Sequence, residues 1–144
     1  MIKDAKMVIS HRNHTMTGTR LIVSITPAAN EKEGYLTLRL QKQISDRRWD
    51  EENESVINLN QTDVAKFIAV MRGYEESIGD GRGILHRTDK SDCLARFRHM
   101  IEPMPGYILT IDNSGDPIQI CLNTYEAISL CEVMQVALYH VVFG

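Results

Sequence analysis

The chain has 144 residues, 43% of them apolar and 24% charged, with a formal net charge of -3. This composition excludes disorder, suffices for a sizeable core, and gives no global attraction to nucleic acid or an anionic membrane, so such binding would need a local basic face. Cys93, Cys121 and Cys131 form no CxxC and have no Cys/His neighbour at zinc-ligand spacing, which argues against a disulfide framework or zinc site and for a reducing, cytosol-like compartment.

The N-terminus carries Lys3, Asp4 and Lys6 with no apolar run behind them, and no stretch approaches about 18 consecutive apolar residues, so neither export nor a membrane span is expected. Lys6–Arg12 and Arg20–Thr26 read as strands separated by the turn-forming T-M-T-G-T, with Arg20 on the polar side of the second. After P-A-A-N-E-K-E-G comes a third strand, Tyr35–Ile44. Alternation sends Leu36, Leu38 and Leu40 to the core and Tyr35, Thr37, Arg39, Gln41 and Gln43 to solvent, an outer face without a carboxylate. Residues 35–48 hold Arg39, Lys42, Arg47 and Arg48 against Asp46 alone. Trp49 follows, either as a half-buried anchor for its loop or as a platform for base stacking. The acidity lies beyond it, in Asp50, Glu51, Glu52 and Glu54, before a fourth strand at Ser55–Leu59.

Asn60 then caps a helix: Val64, Phe67, Ile68 and Met71 fall at i, i+3, i+4 and i+7, and Asp63 favours the positive end of the helix dipole. This helix should stop near Gly73, and G-D-G-R-G at 79–83 reads as a seam. The second half predicts strands at Gly83–Thr88, Asp92–Ile101, Tyr107–Asp112 and Ile118–Leu122; in the second of these, Arg96 and Arg98 share a face opposite Phe97. Asn123 caps a second helix carrying Ala127, Leu130, Cys131 and Met134 at matching positions, with Glu126 placed for a capping box. Val136, Leu138 and Val141 keep this helix apolar almost all round, so it should pack on its own sheet and on another helix, in this chain or a second copy.

Three blocks recur in the same order. Ile9-Ser-His-Arg12 answers Ile84-Leu-His-Arg87, Gly34-Tyr35 answers Gly106-Tyr107, and Leu59-Asn60 answers Leu122-Asn123. The expected fold is α+β: a tandem β-β-β-β-α repeat in one domain, units 1–78 and 79–144, with two antiparallel four-stranded sheets and two helices packed together.

Chemistry by catalysis finds little support. His11 and His14 of H-R-N-H fall on opposite sides of a continued strand, which argues against a metal. No phosphate-cradling G-x-x-x-x-G-K-[ST] or nucleophile–base pairing is present, and D-E-E-N-E lacks apolar surroundings that would shift its carboxylates. No enzyme activity, cofactor or metal is expected. A sheet face of Arg, Gln and aromatic groups, in contrast, can bind single strands through phosphates and stacked bases.

Four antiparallel strands running through apolar-x-Leu-Asn into a helix resemble the single-stranded-DNA-binding core of the coactivator positive cofactor four. Leu36-Thr-Leu-Arg-Leu-Gln-Lys-Gln-Ile-Ser-Asp-Arg-Arg-Trp49, an acidic stretch and Ile57-Asn-Leu-Asn60 follow the same order. The repetition is similar to the Whirly proteins, where tandem β-β-β-β-α units form one subunit. The resemblance implies sequence-tolerant binding of single-stranded DNA in replication, recombination or transcription. Tyr35, Arg39, Gln41, Arg96 and Arg98 would line the DNA path first, with Arg20, Arg48, Trp49 and Arg87 next. It also implies helices that hold the halves together and a homo-oligomer built through Asn123–Val142, in the cytoplasm, a nucleoid or a host's cytoplasm. The alternatives are an interaction module that engages a polymerase or replication factor through the apolar second helix, and an RNA-binding variant.

Overall fold

The computed structural model describes residues 5–87, 91–113 and 115–144. Lys3, Asp4, Thr88 and the rest of the T-D-K segment, all used in the sequence reading, lie outside the described residues. The first unit is β1 (Ala5–His11), β2 (Thr19–Thr26), β3 (Tyr35–Lys42), β4 (Ser55–Leu59) and α1 (Gln61–Met71). A short 3₁₀ turn at Ile78–Gly81 leads into β5 (Ile84–Arg87), β6 (Asp92–Met100), β7 (Gly106–Asn113), β8 (Asp116–Asn123) and α2 (Thr124–Phe143). Each unit is an antiparallel four-stranded meander, ordered β1-β2-β3-β4 and β5-β6-β7-β8. The tandem α+β architecture expected from the sequence is the one observed.

Alternation builds the core. Leu36, Leu38 and Leu40 are fully buried on the inner face of β3, opposite Leu59 and Ile57 of β4. Leu109 and Ile111 of β7 and Ile118, Ile120 and Leu122 of β8 do the same in the second sheet. Pro117 sits in β8 because an edge strand can spare an N–H.

Both helices start as predicted. The Asn60 and Asn123 side chains accept from the Asp63 and Glu126 N–H groups at 2.9 and 2.8 Å, and each carboxylate reaches back to its cap's N–H. These are two complete capping boxes. Past α1, Gly73 takes a positive φ of 81°, where the chain turns away.

The helices are exchanged between the units. Phe67 of α1 stacks on Phe97 of β6, with ring centroids 4.8 Å apart, and Phe97 on Tyr107 of β7 at 5.5 Å; the Tyr107 hydroxyl donates to the Met71 carbonyl. α2 packs on α1 and its own β7 and β8, and also contacts β1, β2 and β3 of the first sheet. Its last carbonyls, orphaned by helix geometry, accept from first-unit N–H groups: Ala28 to His140 at 2.8 Å and Gly34 to Val141 at 3.1 Å. By length and a mean hydropathy of 1.3, α2 would suffice to cross a membrane; in the fold, Ala127 and Val141 are buried, and Leu130, Met134 and Ala137 are buried in a core that both units share.

The repeated blocks meet in this crossing. His11 of β1 sits 2.8 Å from the Glu126 carboxylate at the start of α2, and His86 of β5 sits 3.0 Å from Asp63 at the start of α1. The twin I-x-H-R and Leu-Asn blocks therefore clasp one another across the units.

One block needs correction. If Leu59 is equivalent to Leu122, their strand partners Leu36 and Tyr107 are equivalent too, so Tyr107 answers Leu36 and Gly106 answers Tyr35. The matching Gly-Tyr pairs are one residue out of step, and a one-residue slip reverses the face. Tyr35 accordingly points outward, while Tyr107 points into the aromatic core.

Candidate functional site

Pairing places the polar residues of the first sheet in rows across its outer face: Arg20 beside Gln41, Ile22 between Val8 and Arg39, and Ser24 beside Thr37 and Asn58. Tyr35 lies at the end of this face and is 38% exposed. All of these except Arg20 and Val8, together with Lys6 of β1, line a groove of about 810 Å³.

This face is not the open, carboxylate-free surface expected from alternation. Thr37, Gln41 and Gln43 are buried, and so is Arg20, at 7% exposure. The strand pairing Leu40–Ser55, carried one step further, brings Glu54 opposite Gln41. Glu54 accepts from Arg39 Nη1 at 2.5 Å and from Gln41 Nε2 at 2.7 Å. Gln41 Oε1 in turn accepts from Arg20 Nε at 3.0 Å, and Glu51 lies 3.7 Å from Arg20 Nη2. Acidity that is separate along the sequence is thus folded over the basic face. Burial pulls the Arg20 guanidinium below its ordinary value, and the Glu51 carboxylate opposes that shift.

Gln43 serves the backbone. Its Oε1 accepts from the Asn13 and Gly18 N–H groups and its Nε2 donates to the Asn13 and Ser45 carbonyls, pinning the β1–β2 turn. Trp49 is half-buried, and its ring lies 5.1 Å from the Arg20 guanidinium carbon in a cation–π contact. That is the anchor reading of Trp49: the indole holds the loop against the sheet. Arg48 is exposed beside it.

The second sheet presents a different outer face. Arg96 pairs across to Thr110 and Gln119, and Arg98 to Ile108 and Cys121. Arg87, Arg96 and Arg98 are exposed, and none has an ion-pair partner among the described residues. The sheets meet where the Val56 N–H donates to Asn113 Oδ1 at 2.6 Å and the Cys93 thiol donates to the Val56 carbonyl.

The sequence-selected residues therefore form two groups. Tyr35, Arg39, Gln41, Arg20 and Trp49 come together on the first sheet with Arg48 nearby in the loop, and Arg87, Arg96 and Arg98 lie on the second. Three residues escaped selection. Asn58, which accepts from the Thr37 hydroxyl at 2.8 Å, lies between inward-facing Ile57 and Leu59, so alternation alone marks it as outward. Thr110 and Gln119 are likewise marked by the alternation of β7 and β8. His11 is taken up by its hydrogen bond with Glu126, and no group of three His, Cys, Asp or Glu residues suited to a metal occurs among the described residues.

No protein-family model matches the chain, and no curated protein matches it in sequence. Solved structures do match in shape. WHY1 from Arabidopsis thaliana superposes with a TM-score of 0.71 at 17% identity, over 96% of this chain and 88% of that one. The plant transcriptional regulator PBF-2 gives 0.69 at 15% identity, over 94% and 83%. A guide-RNA-binding protein complex bound to a gRNA gives 0.68 at 16% identity, over 95% and 92%. Two β-β-β-β-α units sharing one core, with their helices crossed, give this chain the Whirly-like fold.

Proposed function

We propose that the protein binds single-stranded DNA across the outer faces of its sheets, with little sequence preference and without catalysis, in a reducing compartment. The observation that carries this is the pair Arg96 and Arg98: exposed guanidinium groups two residues apart on β6, unpaired among the described residues, beside the polar row Thr110–Gln119. Guanidinium groups so placed suit the phosphates of a flexible strand, and Tyr35 offers a ring on the other sheet that could add ~1–3 kcal/mol for a stacked base. Roles in replication, recombination or transcription are consistent with this chemistry. Assembly of several copies through α2 would multiply the faces available to one strand.

Titration of a labelled oligo-dT at several salt concentrations tests the proposal. Wild type should bind at low salt and weaken steeply as salt rises. Arg96→Ala with Arg98→Ala should lower affinity by about tenfold or more and flatten the salt slope by about 1.4, the value for two lost phosphate contacts on a single strand. Absence of binding at low salt overturns the function, and an unchanged slope in the double variant overturns the site. Oligo-U should compete less well than oligo-dT, and added Mg²⁺ or Mn²⁺ should produce no plasmid nicking.

A further inference from the structure

We infer that residues 50–54 form an acidic strap that competes with nucleic-acid phosphates for the first sheet, so that the two sheets of one chain bind unequally. The inference rests on the proposed binding of single strands. Glu54 holds both a guanidinium and an amide, Arg39 Nη1 and Gln41 Nε2, in the way a phosphate would engage them with two oxygens. The Glu54 side chain is 19% exposed, so this is a seated contact; Glu51 is 55% exposed and reaches Arg20 more loosely.

The strap is anchored at both ends. Asp50 N–H donates to the Lys42 carbonyl at 2.8 Å beside the Gln43–Trp49 bridge, and Ser55 is buried at the start of β4. Within it, the Asn53 N–H and side-chain amide donate to the Asp50 carboxylate, giving the loop a local fold of its own. The groove beside it stays open and lined by Lys6, Tyr35, Thr37 and Asn58, but its one guanidinium, Arg39, and the neighbouring Arg20 already face carboxylates.

A strand arriving at the second sheet meets bare guanidinium groups and releases its condensed counterions. At the first sheet it must exchange places with Glu54, and replacing one anion by another on Arg39 releases few counterions. The second sheet therefore fills first and sets the salt dependence of the wild type. The first sheet responds to whatever neutralises or displaces the strap.

Three variants test this against oligo-dT. Glu51→Gln with Glu54→Gln keeps an acceptor for each partner while removing the competing charge. It should raise low-salt affinity by roughly tenfold and steepen the salt slope by about 1.4, as for two gained phosphates. Glu31→Gln with Glu33→Gln, in the β2–β3 turn, changes the net charge equally and should leave the slope at the wild-type value. Arg39→Gln added to the strap variant should cancel about half of the gain in slope. Should the doubly substituted strap prove unstable in a thermal melt, Glu54→Gln alone should steepen the slope by about 0.7.

Equal behaviour of the strap variant and the charge-matched control overturns the strap. Failure of every variant to bind overturns the proposed function and the strap with it. Wild-type binding that Arg96→Ala/Arg98→Ala weakens, with no response to the strap substitutions, removes the strap alone.

Discussion

Cys93 and Tyr107 show how burial couples single side chains to stability. Burial raises the Cys93 thiol above its ordinary value of 9.0, partly opposed by its Asn113 contact, and raises the Tyr107 phenol above 10.0. In both cases the neutral, protonated form is favoured in the fold and binds its proton more tightly than in the unfolded chain. Their contribution is therefore complete below the ordinary values and is lost as pH rises through the raised ones. The urea midpoint should hold to about pH 8.5 and fall towards pH 10.5, and Cys93→Ala with Tyr107→Phe should flatten that fall. A wild-type midpoint that stays level over this interval contradicts the assignment. The burial of Tyr107 was not legible in the sequence, because only the crossing of α1 over the second sheet places its ring against Phe97 and its hydroxyl beneath the Met71 carbonyl.

The two helix starts carry more than their own helices. Each N-cap Asn satisfies an orphan N–H, and each third-position carboxylate both returns to the cap and meets a histidine of the other unit. Asn60→Ala and Asn123→Ala should each lower stability by about 1 kcal/mol, measured by urea unfolding with an unchanged m-value. A loss of a few tenths would show that water replaces the cap. These elements were legible because capping is local: Asn, an acid three residues later and a 3.6-residue apolar period lie within one helical turn or two. Strand faces were legible for the same reason, except where pairing register intervened. The Gly-Tyr match illustrates this, since identical dipeptides lie on opposite faces once the Leu36–Leu59 and Tyr107–Leu122 pairs are fixed.

In the molecule as a unit, α2 remains incompletely covered. Tyr125, Ile128, Val136, Tyr139 and Phe143 are all more than half exposed along a helix whose opposite side is buried in the shared core. Apolar exposure of this extent on one helix suits association, and the proposed homo-oligomer would cover it. Light scattering should find wild type larger than a monomer, and Ile128→Lys with Tyr139→Lys should yield a monomer with unchanged far-UV circular dichroism. Its affinity for long oligo-dT should fall more than that for short, because linked sites are lost. A wild type that is monomeric at all concentrations would assign the stripe to a different partner.

The sequence alone specified the order of elements, their caps, the alternation of core positions and the type of side chain on each outer face. All of these depend on interactions within a few residues or on the period of a strand. Folding decided what those faces are worth. The β3–β4 register swings Glu54 onto Arg39 and Gln41, and the loop end brings Glu51 to Arg20, so the two guanidinium groups seated on the first sheet are already paired. Arg96 and Arg98, on a strand with no such local excess, keep their charge open among the described residues. Charge acts through space over a few ångströms, and distance along the chain does not measure it.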